Sequence, residues 1–418
     1  MMYIKRAIEE SVMRISRTFP VLLVTGPRQV GKTTLLRRLA DESRTYVSLD
    51  DPEARNAART DPALFLQRYT PPLLIDEIQY APQILPYIKM SVDKSGNRGD
   101  FWLTGSQAFH MMKNVSESLA GRVGIVNLLG LSSSEIASLP SEPFNTSPER
   151  LLLRLKQVKR IGLKIIYERI FRGAYPALYH EDPPELNEFY RSYINTYLQR
   201  DIKDLSQVAD ETAFHNFMII VAARTARPVV YEELAKEAGI SQPTAKKWLS
   251  VLISSGLVAL VQPYHNNALK RAVKMPLLHF LDTGLCAYLL KWDNPETLER
   301  GAMSGAFFES WVFSEIYKSY LNAGREAPVY YYRDKEKREI DLLLYKNGTL
   351  YPIEIKKSAS PGKSAIKQFK ALDPVTEPER FGALGEYRVE IGNGAVVCLA
   401  TDLLPADAKN WFVPAWLI

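Results

Sequence analysis

The run Gly26-Pro27-Arg28-Gln29-Val30-Gly31-Lys32-Thr33 constrains this chain more than any other, because it fits G-x-x-x-x-G-K-[ST], a loop pattern that cradles phosphates. Before it, Pro20-Val21-Leu22-Leu23-Val24-Thr25 is a short apolar run of the buried-strand kind. After it, Thr34-Leu35-Leu36-Arg37-Arg38-Leu39 has the spacing of an amphipathic helix. Strand, glycine loop and helix start together make an anion site: backbone N–H groups converge on the phosphates, and the helix dipole adds positive potential. In that geometry residues 26–34, Thr34 included, surround the nucleotide, Lys32 reaches the β- and γ-phosphates, and the Thr33 hydroxyl is a ligand for Mg²⁺.

A chain of 418 residues is too long for one core, which predicts several domains. No apolar run approaches the roughly 18 residues that cross a membrane, so no membrane partner is expected. Met1-Met2-Tyr3-Ile4-Lys5-Arg6 leads into an amphipathic helix over residues 3–18 and lacks a secretory apolar core. Cys286 and Cys398 lie in apolar surroundings, outside any metal-ligand spacing, which suits a reducing, cytoplasmic setting. A net charge of +6 permits a DNA or RNA partner without requiring one.

Two further strands complete a nucleotide site. Thr45-Tyr46-Val47-Ser48-Leu49 ends at Asp50-Asp51-Pro52, and Pro71-Pro72-Leu73-Leu74-Ile75-Asp76-Glu77 is apolar until two acids at its carboxyl end. Ligands of open α/β sheets bind beyond strand carboxyl ends. Asp76 is therefore expected to hold Mg²⁺, directly or through water, and Glu77 to polarise the attacking water. Asp100-Phe101-Trp102-Leu103-Thr104-Gly105-Ser106-Gln107 is a fourth strand, with Thr104 and Ser106 as candidates to orient that water or contact the γ-phosphate. Arg122 is a candidate to stabilise transition-state charge within its own chain or across a subunit boundary, which makes a homo-oligomer a possible assembly. No Asn-Lys-x-Asp guanine signature follows, which favours ATP.

The combination GPRQVGKT, LLIDEIQ, LTGSQ and SLAGR resembles a prokaryotic AAA-type ATPase family that joins such a core to a C-terminal domain of long-unknown function. The resemblance continues through Arg200-Asp201-Ile202, Ala245-Lys246-Lys247-Trp248-Leu249, Asp282-Thr283-Gly284-Leu285 and Glu354-Ile355-Lys356, so it covers essentially the whole chain. It implies an α/β P-loop core over residues 1–134. It does not imply a ring.

Residues 135–205 read as a helical lid or linker. They hold a basic helix from Leu151 to Lys164, with no chemistry attached, and an amphipathic helix from Glu185 to Leu205 whose apolar face carries Tyr190, Tyr193, Ile194, Tyr197 and Leu198. Residues 206–292 read as a winged helix. One helix ends at Gly239, a second opens at Pro243 and stops at Gly256, and residues 256–261 follow as a strand. If this module binds nucleic acid, Ser241, Gln242, Thr244, Lys246 and Lys247 stand at the groove-facing start of its second helix. With only two lysines there, packing or nucleotide-state sensing is the competing role. Lys270, Arg271 and Lys274 mark a wing or a phosphate-tracking patch.

Residues 293–418 open with a helix from Gly305 to about Leu321, followed by a strand at Pro328–Arg333 and the hairpin Glu339–Tyr345, Asn347-Gly348, Leu350–Lys356. A two-residue Asn-Gly turn pairs Lys346 with Thr349, which sets Asp341 opposite Glu354 and Glu339 opposite Lys356 on one face. Facing carboxylates repel, and a divalent cation between Asp341 and Glu354 would relieve them. Glu309 would complete the cluster and Lys356 would position a metal-bound water. This Asp, Glu-x-Lys pattern resembles the restriction-endonuclease-like fold, which implies Mg²⁺-assisted phosphodiester hydrolysis. The expectation is thus an ATPase acting on DNA or RNA. The competing readings are a signalling or scaffold ATPase with a silent C-terminal domain, and a small-molecule kinase.

Overall fold

A computed structural model of the chain describes residues 3–105, 115, 118–197, 210–265, 275–334, 336–376, 379–380, 386–387 and 389–418. Its first sheet is built from β1 (Val21–Thr25), β2 (Thr45–Ser48), β3 (Leu73–Asp76), β4 (Phe101–Gly105) and β5 (Val123–Asn127), in the order β2-β3-β4-β1-β5. Every pairing is parallel. Alternation explains why β1 is apolar throughout: Val21 and Leu23 join one core, Leu22 and Val24 the other. The flanking helices are α1 (Glu9–Thr18), α2 (Lys32–Leu39), α3 (Pro52–Thr60), α4 (Pro62–Arg68) and α5 (Leu85–Ser95). The N-terminal helix thus starts at Glu9 rather than residue 3. Strand β5 was not expected from the sequence; it is an edge strand of alternating burial, and Gly124 interrupts its short apolar run.

A short helix α6 (Ser133–Ile136) follows the sheet. The single basic helix expected over residues 151–164 is instead two, α7 (Pro148–Leu155) and α8 (Leu163–Arg172). Lys156, Lys159 and Arg160 would stack like charges three and four residues apart, and Gly162 is extended at the start of α8. Helix α9 (Leu186–Tyr197) buries Tyr190, Tyr193 and Ile194 as expected; its predicted continuation through Leu198 and Arg200 to Leu205 lies outside the described residues.

The next segment carries α10 (Glu211–Ala223), β6 (Arg227–Pro228), α11 (Tyr231–Ala238), α12 (Gln242–Ser254), β7 (Val258–Pro263) and β8 (Leu277–Phe280). Gly239 ends α11 in the left-handed region, at φ 65°. Ser241 caps α12 by accepting the Thr244 N–H at 3.2 Å. Phe214 and Phe217 of α10 meet Trp248 of α12 edge-on, which locks these two helices together. Helices α13 (Thr283–Leu289), α14 (Pro295–Arg300) and α15 (Ser304–Asn322) then lead to β9 (Val329–Arg333), β10 (Glu339–Lys346) and β11 (Thr349–Lys356).

Strand β7 pairs in parallel with β9, at Gln262 with Tyr330 and Pro263 with Tyr331. One sheet therefore runs from β6 through β8, β7, β9, β10 and β11 to β12 (Gly394–Cys398) and β13 (Asn410–Pro414). It crosses residue 292, where a boundary was drawn from the sequence. One hydrophobic core likewise joins Leu22 of the first sheet and Val30 of the phosphate loop to Trp248 of α12, Phe308 of α15 and Leu342 of β10.

Candidate nucleotide site and C-terminal carboxylate cluster

The phosphate loop connects β1 to α2, as its strand–loop–helix spelling requires. Gly26 has φ 144°, and a Cβ there would lie 2.0 Å from the Leu128 carbonyl oxygen, so only glycine fits. Gly31 enters α2 at φ 90°, and Gln29 sits at φ 59°. Lys32 is buried and donates from Nζ to the carbonyls of Gly26 (3.0 Å) and Pro27 (2.8 Å), so its ammonium stands inside the loop.

Strand β4 lies between β1 and β3, which brings Thr104 between the loop and the acids. The Thr33 hydroxyl donates to Asp76 Oδ1 at 2.6 Å. The Thr104 hydroxyl also donates to Asp76 Oδ1, and its oxygen accepts the Glu77 N–H at 3.1 Å. Thr104 is thus occupied in fixing the two acids. Glu77 holds φ 58°, a left-handed conformation that a non-glycine residue adopts at some cost, and its carboxylate accepts from the Gln79 amide. A hydroxyl and a buried carboxylate, both oxygen donors, suit the hard Mg²⁺ ion. Tyr46 OH donates to Asp76 Oδ2 at 3.3 Å, a contact the sequence did not signal. Burial, then the Asp76 charge, raise the Tyr46 hydroxyl pKa and keep it a donor. Ser106 lies outside the described residues.

Arg122 is not part of this cluster. Its backbone carbonyl accepts from Val21 N, at the amino end of β1, whereas the phosphate loop leaves the carboxyl end. Five strand residues separate the two, about 16 Å. Its side chain pairs with Asp93 of α5 at 2.5 Å. The expectation that Arg122 serves its own chain's nucleotide is therefore corrected; only a role across a subunit boundary remains.

The back of the loop is held by residues with no predicted role. Arg6, 3% exposed, donates to Val30 O (2.8 Å), Leu129 O (2.8 Å) and Glu135 Oε1 (2.9 Å). Ser132 and Glu135 form a capping box, a signal legible in the sequence as S-x-x-E. On the same side, Gly256 follows α12 at φ 70°, and a Cβ there would lie 2.9 Å from Pro27 Cδ.

In the C-terminal hairpin, Lys346 pairs with Thr349 and the ladder runs to Leu342 opposite Ile353, the register expected from Asn347-Gly348. Beyond that point Ile355 N donates to the Asp341 carboxylate at 2.7 Å. A register shift against β9 falls between Ile340 and Leu343, the kind of bulge that re-aims a side chain. Glu339 pairs with Arg333 across β9, not with Lys356 as expected. Lys356 Nζ instead lies 2.5 Å from Glu354 Oε1 and 4.0 Å from Asp341 Oδ2, where it acts as the counter-ion of both.

Glu354 is 3% exposed, and its Oε2 has no hydrogen-bond partner among the described residues. Burial, then the Asp341 charge, push its carboxyl up to about 7, against the pull of Lys356. Burial followed by Asp341 raises Glu309 on α15 well above the ordinary carboxyl range. These residues do converge, but among the described residues no three His, Cys, Asp or Glu side chains are gathered to hold a metal ion. The start of α12 presents Ser241, Gln242, Lys246 and Lys247 to solvent, with Thr244 half-buried; Lys246 Nζ stands 5.4 Å from the Tyr231 ring centroid. Lys270, Arg271 and Lys274 lie outside the described residues.

The loop, the acid-ended strand and the parallel sheet define the N-terminal domain as a P-loop nucleotide-binding domain. Comparison agrees: residues 18–137 match the family described as an AAA domain. Residues 163–296 and 304–418 match two domains of unknown function, DUF8612 and DUF4143. The chain is 29% identical over 393 residues to uncharacterised proteins of Mycobacterium tuberculosis and Mycobacterium bovis, across 94% of this chain and 82% of each relative. Among solved structures it is similar to a signal-transduction ATPase with a tetratricopeptide repeat sensor from Pyrococcus horikoshii, at 14% identity and TM-score 0.24 over 77% of this chain and 47% of that one. It is also similar to a DNA replication initiation factor, at 12% identity and TM-score 0.25 over 75% and 91%. At such scores neither structure bears on function. No helix among the described residues is long and apolar enough to cross a membrane.

Proposed function

We propose that the N-terminal domain hydrolyses ATP, and that nucleotide state controls a winged helix, formed by α10–α12 with β6–β8, and a restriction-endonuclease-like C-terminal domain acting on nucleic acid. The observation that carries the hydrolysis is the Thr33–Asp76–Thr104–Glu77 network beside the phosphate loop, in which Asp76 would serve as a cation ligand and Glu77 as a base. Thr33 and Asp76 would hold Mg²⁺, which would supply positive charge to offset that of the phosphates. Lys32 would exchange the Gly26 and Pro27 carbonyls for the phosphates, and Glu77, fixed through its own N–H, would orient the attacking water. ATP and Mg²⁺ are the cofactors this reading requires. The Gly256–Pro27 contact supports control of the winged helix, because a loop that shifts on nucleotide binding pushes on the end of α12.

For the C-terminal domain, the Glu309, Asp341, Glu354 and Lys356 cluster supports phosphodiester chemistry, and the unpartnered Glu354 Oε2 is an oxygen donor suited to a divalent cation. Asp341 and Glu354 would hold it. A second reading rests on Lys356: its ammonium already pairs with Glu354 and lies 4.0 Å from Asp341, where a cation would otherwise stand, which favours a silent C-terminal domain on a signalling ATPase with protein partners. Purified protein with ATP, Mg²⁺ and a panel of DNA and RNA separates them. The first reading expects ATP turnover, and nucleic-acid cleavage or binding that Asp341→Ala alters while turnover survives. Absence of nucleic-acid binding at low salt, where phosphate contacts are strongest, would overturn it in favour of the second.

A further inference from the structure

We infer that Arg6 is a positioning residue of the ATPase site, holding the phosphate loop in shape from behind. The inference rests on the ATPase reading and assigns part of its machinery to a segment that precedes every nucleotide motif. A phosphate loop works by turning successive N–H groups inward, which turns its carbonyls toward the protein. Those outward carbonyls are buried and must find donors. Val30 O finds Arg6 Nη1 at 2.8 Å, and Leu129 O, at the end of the neighbouring β5 segment, finds Arg6 Nη2 at 2.8 Å. Gly130 O accepts from the same Nη2 at 3.4 Å. One planar guanidinium thereby ties the loop, just before Gly31-Lys32, to the chain leaving β5.

The charge is balanced locally. Arg6 Nε donates to Glu135 Oε1 at 2.9 Å, and the Glu135 carboxylate also accepts from the backbone N–H groups of Ala7 and Ser132, both at 2.7–2.8 Å. Burial alone would raise the Glu135 carboxyl, but Arg6 and these donors hold it below the ordinary range, so the pair is ionised. A lysine could keep the pairing with Glu135 but not the fork of donors to divergent carbonyls. The loop geometry, with Gly26 and Gly31 at positive φ and Gln29 held in the left-handed region at φ 59°, explains why such a brace is needed: without it the loop can relax out of the nest that the phosphates require.

Steady-state ATP turnover with Mg²⁺, together with thermal unfolding, tests this on the full chain. Active wild-type protein is the first requirement; an inactive wild type overturns the ATPase reading itself. Given activity, Arg6→Lys should fold and raise the KM for ATP about 10-fold or more, through misplacement of the loop. Arg6→Met should lower both Tm and ATP affinity, since it also strands the buried Glu135 charge. Adding Glu135→Gln to Arg6→Met removes that charge, so Tm should recover while the raised KM persists. A KM and kcat for Arg6→Lys equal to wild type, or recovery of both Tm and KM in the double variant, would show a merely structural ion pair and overturn the inference.

Discussion

At the residue scale, the proposed ATPase reading separates binding from chemistry. On that reading Lys32 and the loop N–H groups would engage phosphate, whereas Glu77, beyond β3, would act on the attacking water. Lys32→Ala should therefore abolish nucleotide binding, read by a fluorescent ATP analogue. Glu77→Gln should keep binding and lower turnover by about 10²-fold or more, within the range expected of a lost general base. Glu354 gives a second residue-scale prediction. Its folded pKa, about 7, lies above the ordinary carboxyl value of 4.5, so the folded state holds the extra proton between those pH values. Stability that is present below the unfolded pKa is then lost as pH rises through 7. Glu354→Gln should raise Tm relative to wild type at pH 8 and change it little at pH 5; an equal effect at both pH values would contradict this account of the cluster.

At the scale of elements, the turn after α12 meets the phosphate loop. Gly256 and Gly239 both adopt left-handed backbone, at φ 70° and 65°, but a Cβ at Gly256 would press on Pro27, whereas Gly239 has nothing within 4 Å. Alanine at either site costs a similar amount of backbone strain, roughly 1–2 kcal/mol. Gly256→Ala alone should also weaken ATP binding, by several-fold, and Gly239→Ala serves as the control. The same comparison shows what a linear reading could reach. Both glycines were legible as helix stops, because helix ends leave a local signature. That one of them lies on the phosphate loop depends on residues more than 200 positions apart.

At the scale of the molecule, β7 pairing with β9 and a continuous core make the middle and C-terminal segments one mechanical unit resting on the ATPase domain. Helix α15 shows how tightly. Glu315 accepts the Ser133 N–H at 2.7 Å and Lys318 donates to Leu131 O at 2.9 Å, on the helix that also carries Glu309 of the carboxylate cluster. If the exposed start of α12 follows a nucleic-acid backbone, Lys246→Ala with Lys247→Ala should flatten the dependence of log K on log salt by about 2 for duplex DNA. An unchanged slope would remove these lysines from the interface.

What the sequence determined by itself was whatever is short-range. The phosphate loop with its flanking strand and helix, the acids closing β3, the caps of α11 and α12 and the Asn347-Gly348 hairpin register are each spelled within about ten residues, because φ/ψ preference, capping and alternation act locally. The tertiary structure decided everything that crosses the chain. It removed Arg122 from its own chain's nucleotide, turned Lys356 into a counter-ion, broke the basic helix at residues 156–162, and placed Arg6 behind the loop. Burial and pairing set these outcomes. An arginine's partners depend on which carbonyls the fold leaves buried, and no spacing in the sequence records that.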